Sequence, residues 1–310
     1  MRTASNELLE QAAHATSLDS LVALTDSLLM KVTDNRCHLP PAYIAAHNRW
    51  NALRPGTTLM VPIADATEQF LGFLSIISGE GAILWDALED RPVGNTAELL
   101  RKGSLNPDAR IPLPAFEQLV GQQATVESGI IAYNAQLMLQ SMGLGGWLYG
   151  GIDANALLGA HQNQGVSGMG FRFKQVPHSP LANPVGLDGY FETLSPPYCS
   201  GAEEIVARFI ERKFGSGGAY NTSTGTYRHA GAVHSQIQRY DEATIRYFVS
   251  VVERLLETYN RVPGTLPTVH TSVYLQAQHV DIDYYEQFHD QNALLDTHRE
   301  HMSIWHAEAP

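Results

Sequence analysis

The sequence predicts an α+β protein. Helical patterns clearly outnumber strand patterns, and the strands do not alternate strictly with helices as in a doubly wound sheet. Helix caps and glycine stops punctuate the chain at several places. Its 310 residues suffice for one large domain or two small ones, with a substantial core. Apolar residues make up 44% and charged residues 17%, the composition of a soluble globular protein. Lys and Arg number 20 against 32 Asp and Glu, a net charge of −12 that repels phosphate backbones, so no nucleic-acid partner is expected.

Ser5 is placed to cap a first helix, and Leu21, Leu24, Leu28 and Val32 share one face of a second. Pro40-Pro41 breaks the chain, and Pro41 suits the first turn of another helix. Residues 57–63 read as a strand after the Arg54-Pro55-Gly56 turn. Gln69–Ile77 is a buried strand or a short helix, two forms that periodicity does not separate. Residues 86–112 read as a long surface excursion with one helix near Thr96–Lys102. The helix ending at Met142 carries Ile130, Ile131, Leu137, Met138 and Leu139 around nearly every face, which predicts burial in a large core or at a subunit interface.

Gly165–Val176 has strand alternation, with Phe171 and Phe173 set against Arg172 and Lys174. Residues 177–201 are proline-rich and read as loop. A helix runs from Ala202 to Phe214 and stops at Gly215; Asp241 caps an amphipathic helix through Tyr259. Thr268–Gln276 reads as a strand, and an acidic, aromatic, histidine-rich tail follows. No stretch approaches a membrane span and the N-terminus has no apolar signal core, so a membrane-free, cytoplasmic protein is expected. Cys37 and Cys199 have no metal-type spacing and are expected to be isolated thiols. There is no GxSxG elbow, no Walker A lysine motif and no βαβ unit around Gly143-x-Gly145.

The run Gly143-Leu-Gly-Gly-Trp-Leu-Tyr-Gly-Gly-Ile-Asp153 follows a helix of small and apolar residues and leads into Ala154–Leu158. It resembles the signature segment of the nitroreductase superfamily of flavin enzymes. That resemblance implies a central mixed or antiparallel sheet surrounded by helices, bound FMN, a homodimer with the flavin at the subunit interface, and oxidation or reduction of a small organic substrate. It implies that Gly150 and Gly151 offer backbone N–H groups to the N5 and O4 edge, and that Leu148 and Tyr149 stack on the ring. Asn51, in Asn51-Ala-Leu-Arg-Pro55, echoes the family's flavin-contacting Asn-x-x-Pro-Trp segment without its tryptophan, although Trp50 is adjacent. No catalytic side chain is assigned. The family's N-terminal arginine cluster for the FMN phosphate is missing: Arg36 and Arg49 stand alone before residue 50 apart from Arg2, with Arg172, Lys174, Arg208, Arg212 and Lys213 as later candidates. A flavin-less, non-catalytic protein on the same scaffold is therefore an alternative. The expected division is a core over residues 1–200 and a C-terminal helical extension over 201–310, packed on the core or on a partner subunit.

A second alternative is a metal-dependent enzyme. Six of the 13 histidines lie at or after His270. His279-Val-Asp281 with a distant histidine matches a 2-His-1-carboxylate set, and His298 and His301 face one way on a helix. The candidate ligands are His279, Asp281, His298 and His301; the plainer reading is a packed aromatic arm.

Overall fold

The structure is a computed structural model that describes residues 39–306 except 178, 217, 219, 222–230, 233–236 and 238, with a few positions before 39. The two helices expected at the N-terminus, Arg36 and Cys37 lie largely outside the described residues. Along the chain come β1 (Thr58–Met60), β2 (Ala64–Asp65), α1 (Ala66–Gly79), β3 (Ile83–Asp86), β4 (Arg91–Pro92), α2 (Ala97–Arg101), β5 (Arg110–Pro112) and α3 (Leu113–Ser141). Then follow β6 (Gly145–Tyr149), α4 (Ala154–Leu158), β7 (Arg172–Lys174), β8 (Asn183–Leu187), β9 (Phe191–Glu192), α5 (Ala202–Phe214) and α6 (Glu242–Tyr259). The chain ends with β10 (Val269–His270), β11 (Tyr274–Gln278), α7 (Ile282–Phe288) and α8 (Asp296–Trp305). Among the described residues, eight α-helices and several small, mostly antiparallel sheets make this an α+β protein, as expected.

The described chain forms two compact units. The first takes residues 65–121 and 171–269; the second takes 39–64, 122–170 and 270–306. One division falls inside α3, and residues 200 and 201 both lie within the first unit.

In the first unit, the ambiguous stretch Gln69–Ile77 is helical. Asp65 decides this: its Oδ1 accepts from the N–H of Thr67 (3.0 Å) and Glu68 (3.3 Å), an N-cap that a strand would not use. Phe70, Leu71, Leu74 and Ile77 then fall on one stripe and are buried with Phe116, Ile205, Phe209, Phe248 and Val252 of α3, α5 and α6. The stretch 86–112 is more ordered than expected: β4 pairs with β3, and β5 lies parallel to β3. Likewise β8 and β9 occupy the proline-rich 177–201, in the sheet order β7-β8-β9.

The Asp65 side chain is largely buried, and its Oδ2 accepts from Leu194 N–H at 2.7 Å. Burial raises its pKa to about 6, with Glu68 adding to the rise while Leu194 N–H and the Arg212 guanidinium (3.4 Å) oppose it. A folded pKa above the unfolded one gives stability that is complete below about pH 4 and is lost as pH rises through about 6. Asp65→Asn keeps the Oδ1 acceptor and removes the titration. Between pH 4 and pH 7, wild type should lose on the order of 1–3 kcal/mol relative to this variant in urea melts. An offset between the two that does not change with pH would refute this.

In the second unit, β11 is the middle strand of an antiparallel sheet, with β1 on one side and β6 on the other. Strand alternation sorts its side chains. Leu148, Leu275 and Ala277 pack with Ala132 and Leu139 of α3; Trp147, Tyr149 and Tyr274 pack on the opposite face with Ile44, Ile152, Leu157 and Val166. Helix α3 is longer than expected, 29 residues, and is not buried all round: Ile130, Ile131 and Met138 are 56%, 60% and 61% exposed.

Candidate functional site

The Gly150-Gly151 pair leaves β6 and packs against residues 45–48. Gly150 C=O accepts from Asn48 Nδ2 at 2.5 Å, and Gly151 C=O from Ala45 N–H at 2.7 Å. At Gly151 φ is +86°, and a Cβ would lie 2.8 Å from Ala45 Cβ and 3.0 Å from Asn48 Nδ2, so glycine is required. In a planar trans peptide the Gly151 N–H points away from the Gly150 carbonyl, and both glycines are exposed. The residue that reaches the pair is thus Asn48, which the sequence analysis did not single out. Asn51 is buried, with its C=O accepting from Gln276 Nε2 at 2.8 Å.

Whether an FMN fits here turns on a free ring face and a cation for the phosphate. Leu148 and Tyr149 lie on opposite faces of the sheet, so they do not stack on one ring. Trp147 already covers Tyr149, ring centroids 4.0 Å apart and 10° from parallel, with Trp50 5.6 Å beyond. Tyr149 is buried deeply enough to push its phenol pKa up to about 12. Arg49 Nε donates to Ile44 C=O. Arg172, Arg208 and Arg212 pair with Asp188, Glu204 and Asp65/Glu68; Lys174 meets Asn260, and Lys213 meets Tyr240. Among the described residues, these positions offer neither a free ring face nor an unpaired cation for FMN. Cys199 is buried, which raises its thiol pKa and makes it unreactive.

The histidine-rich tail does converge. His279 follows β11, His301 lies on α8, and His306 caps the C-terminal end of α8. One ring nitrogen from each of the three lies within 4.8 Å of the others. The His279 and His306 rings meet edge to face, centroids 4.3 Å apart; His301 lies 5.4 Å from His279 and 5.6 Å from His306.

His301 is the informative member. Its Nδ1 lies 3.0 Å from Met142 C=O, which only accepts, so Nδ1 carries the proton. In the neutral ring Nε2 then holds the lone pair, and that atom is buried without a hydrogen-bond partner among the described residues. A carbonyl on one ring nitrogen with the other free is the arrangement of a metal-ligating histidine. Partial desolvation, with His306 and His301 close by, keeps the His279 pKa below the usual imidazole value, which favours the neutral form that binds metal.

Comparison with known protein families, curated proteins and solved structures finds no match.

Of the four ligand candidates read from the sequence, the structure brings together His279 and His301. Asp281 accepts from Tyr284 N–H at 3.0 Å as the N-cap of α7. His298 is buried, and its Nδ1 accepts from Leu295 N–H at 3.2 Å. The third member, His306, lies five residues beyond His301, a spacing with no helical meaning; it joins because α8 ends there, with His306 at φ −135°. His279 and His306 are exposed and His301 is half-buried, so the group has an open side.

Proposed function

We propose that the protein is a metalloprotein whose His279, His301 and His306 bind one divalent transition metal of the zinc class. The observation that carries this is His301: its Nδ1 is held by the Met142 carbonyl, its Nε2 is buried without a partner among the described residues, and the ring stands beside two further imidazoles, one nitrogen of each of the three lying within 4.8 Å of the others. Three neutral nitrogen donors and an open side suit a centre that keeps a position for water or substrate, rather than a closed four-ligand structural site. Such a metal supplies a Lewis acid and lowers the pKa of a bound water, so the reaction class is metal-assisted addition of water to a small polar substrate.

The test is cobalt loading of the full chain. One equivalent of Co(II) with the visible bands of a low-coordinate nitrogen site supports the reading; no binding overturns it. FMN is titrated in parallel. Bands at about 370 and 450 nm that survive desalting would move the reading to a flavin enzyme. A nitroreductase-like scaffold is proposed for the core on the order long helix, glycine turn, strand, glycine pair, helix start.

A second copy of the chain is proposed as partner. From residue 118 to Met142 the chain carries one charge, Glu127, while Val126, Ile130, Ile131, Tyr133, Leu137 and Met138 are exposed along α3. Depletion of charge over an apolar stripe is the pattern of an interface core. Light scattering should give a dimer for wild type and a monomer for the Ile131→Glu, Met138→Glu double variant. A monomeric wild type would sink the proposal.

A further inference from the structure

The three candidate ligands come from two places in the chain, and one glycine lies directly against the helix that carries two of them. His279 ends a strand that is laddered along its length to β6. His301 and His306 belong to α8 and its cap, a ten-residue helix with Ile304 and Trp305 exposed. A helix this short has little stability of its own. What seats α8 is the turn that ends α3. Thr297 Oγ1 donates to Gln140 C=O at 2.8 Å, and His301 Nδ1 to Met142 C=O at 3.0 Å. Between those two carbonyl-bearing residues and β6 stands Gly143, at φ +76°. A Cβ there would collide with Thr297 C=O and with His301 Cβ, backbone and a stem atom that cannot swing aside. The glycine is thus the floor on which the metal-bearing helix rests.

We propose that Gly143 is a positioning residue for the three-histidine site, and that metal binding and the seating of α8 on this turn are one linked equilibrium. This rests on the metalloprotein reading above. Metal needs all three imidazoles and binds the seated form, so it draws α8 down; by the same linkage, anything that unseats α8 weakens metal binding by the fraction of chains left unseated. The metal would act as a clasp holding the tail to the end of α3, in addition to any chemistry at its open position.

The test uses full-length protein, Co(II) as the probe, and trypsin cleavage at Arg299 within α8, followed by mass spectrometry. In wild type, saturating Co(II) should slow that cleavage at least about tenfold. Gly143→Ala should weaken Co(II) at least about tenfold and move the metal-dependent protection to correspondingly higher Co(II). Gly165→Ala is the control for backbone strain: φ is +81° there, but nothing lies within 4 Å of a Cβ, so Co(II) affinity should stay within about twofold. If Gly143→Ala fails to fold, Thr297→Val takes its place, removing the Gln140 anchor at similar size; it should lower Co(II) affinity and protection together, by about threefold.

Failure of the two readings is distinguishable. Wild type that binds no Co(II) removes the site itself. Wild type that binds Co(II) with no change in Arg299 cleavage, or Gly143→Ala that binds it as tightly as wild type, leaves the site and overturns the coupling.

Discussion

Alanine at His279, His301 or His306 is expected to lower divalent-metal affinity at least about 100-fold, since loss of a ligand should exceed the 10–100-fold cost of losing an outer-shell partner. One nitrogen of each ring lies within 4.8 Å of the others, and two imidazoles without the third would leave a weak, solvent-filled site. His301→Ala should be the most damaging. It removes the one ligand whose tautomer is set in advance by a carbonyl, together with the hydrogen bond to Met142 C=O that helps seat α8. The specificity of the prediction lies in its controls. His298 and Asp281 look like equal candidates in the sequence, yet His298 accepts from Leu295 N–H and Asp281 caps α7. His298→Ala and Asp281→Asn should keep Co(II) stoichiometry at one, with smaller losses that reflect a loosened α8 or α7. Calorimetric titration of the five variants decides the ligand set. Equal losses at Asp281 and His306 would restore the carboxylate-containing set and defeat the three-histidine one.

Glu117→Ala should cost the first unit about 3–5 kcal/mol, the scale for removing one partner of a buried charged network. Glu117 is completely buried near the start of α3. Its carboxylate accepts from Gly264 N–H at 2.5 Å, from Thr265 N–H at 2.8 Å and from the Thr265 hydroxyl. Burial pushes its pKa up, against the pull of these donors and of nearby Arg261. Truncation would strand two backbone N–H groups and a hydroxyl where water does not reach them. Glu117→Gln retains an acceptor oxygen and should lose less. Chemical denaturation of the variants measures this, read on the transition of the first unit because a chain of two units can unfold in more than one step. A loss under about 1 kcal/mol for the alanine variant would refute the role given to the carboxylate.

Local chemistry made much of the fold legible. The bounds of α5 follow from Gly201 and Gly215, and those of α6 from Asp241, whose side chain accepts from Thr244 N–H. Asp153 likewise starts α4 by accepting from Ala156 N–H. Each of these signals acts within a few residues, which is why periodicity and caps could find them. The 69–77 stretch shows the limit. Its apolar run fits a strand or a helix, and the deciding cap, Asp65, is itself held by Leu194 N–H from far along the chain.

By itself the sequence determined the α+β class, the main helices, the glycine turns at 143 and 150, and the concentration of histidine in the tail. Only the tertiary structure decided which histidines meet, that Leu148 and Tyr149 part to opposite faces of the sheet, that Asn48 reaches Gly150, and that one face of α3 is open. The physical reason is range. Caps, turns and periodic faces are set by neighbours in the chain, whereas a site is set by where strands pair and helices dock. His306 has no sequence relation to His279 that a pattern could detect; it reaches that ring where α8, packed against a glycine 163 residues before it, comes to an end.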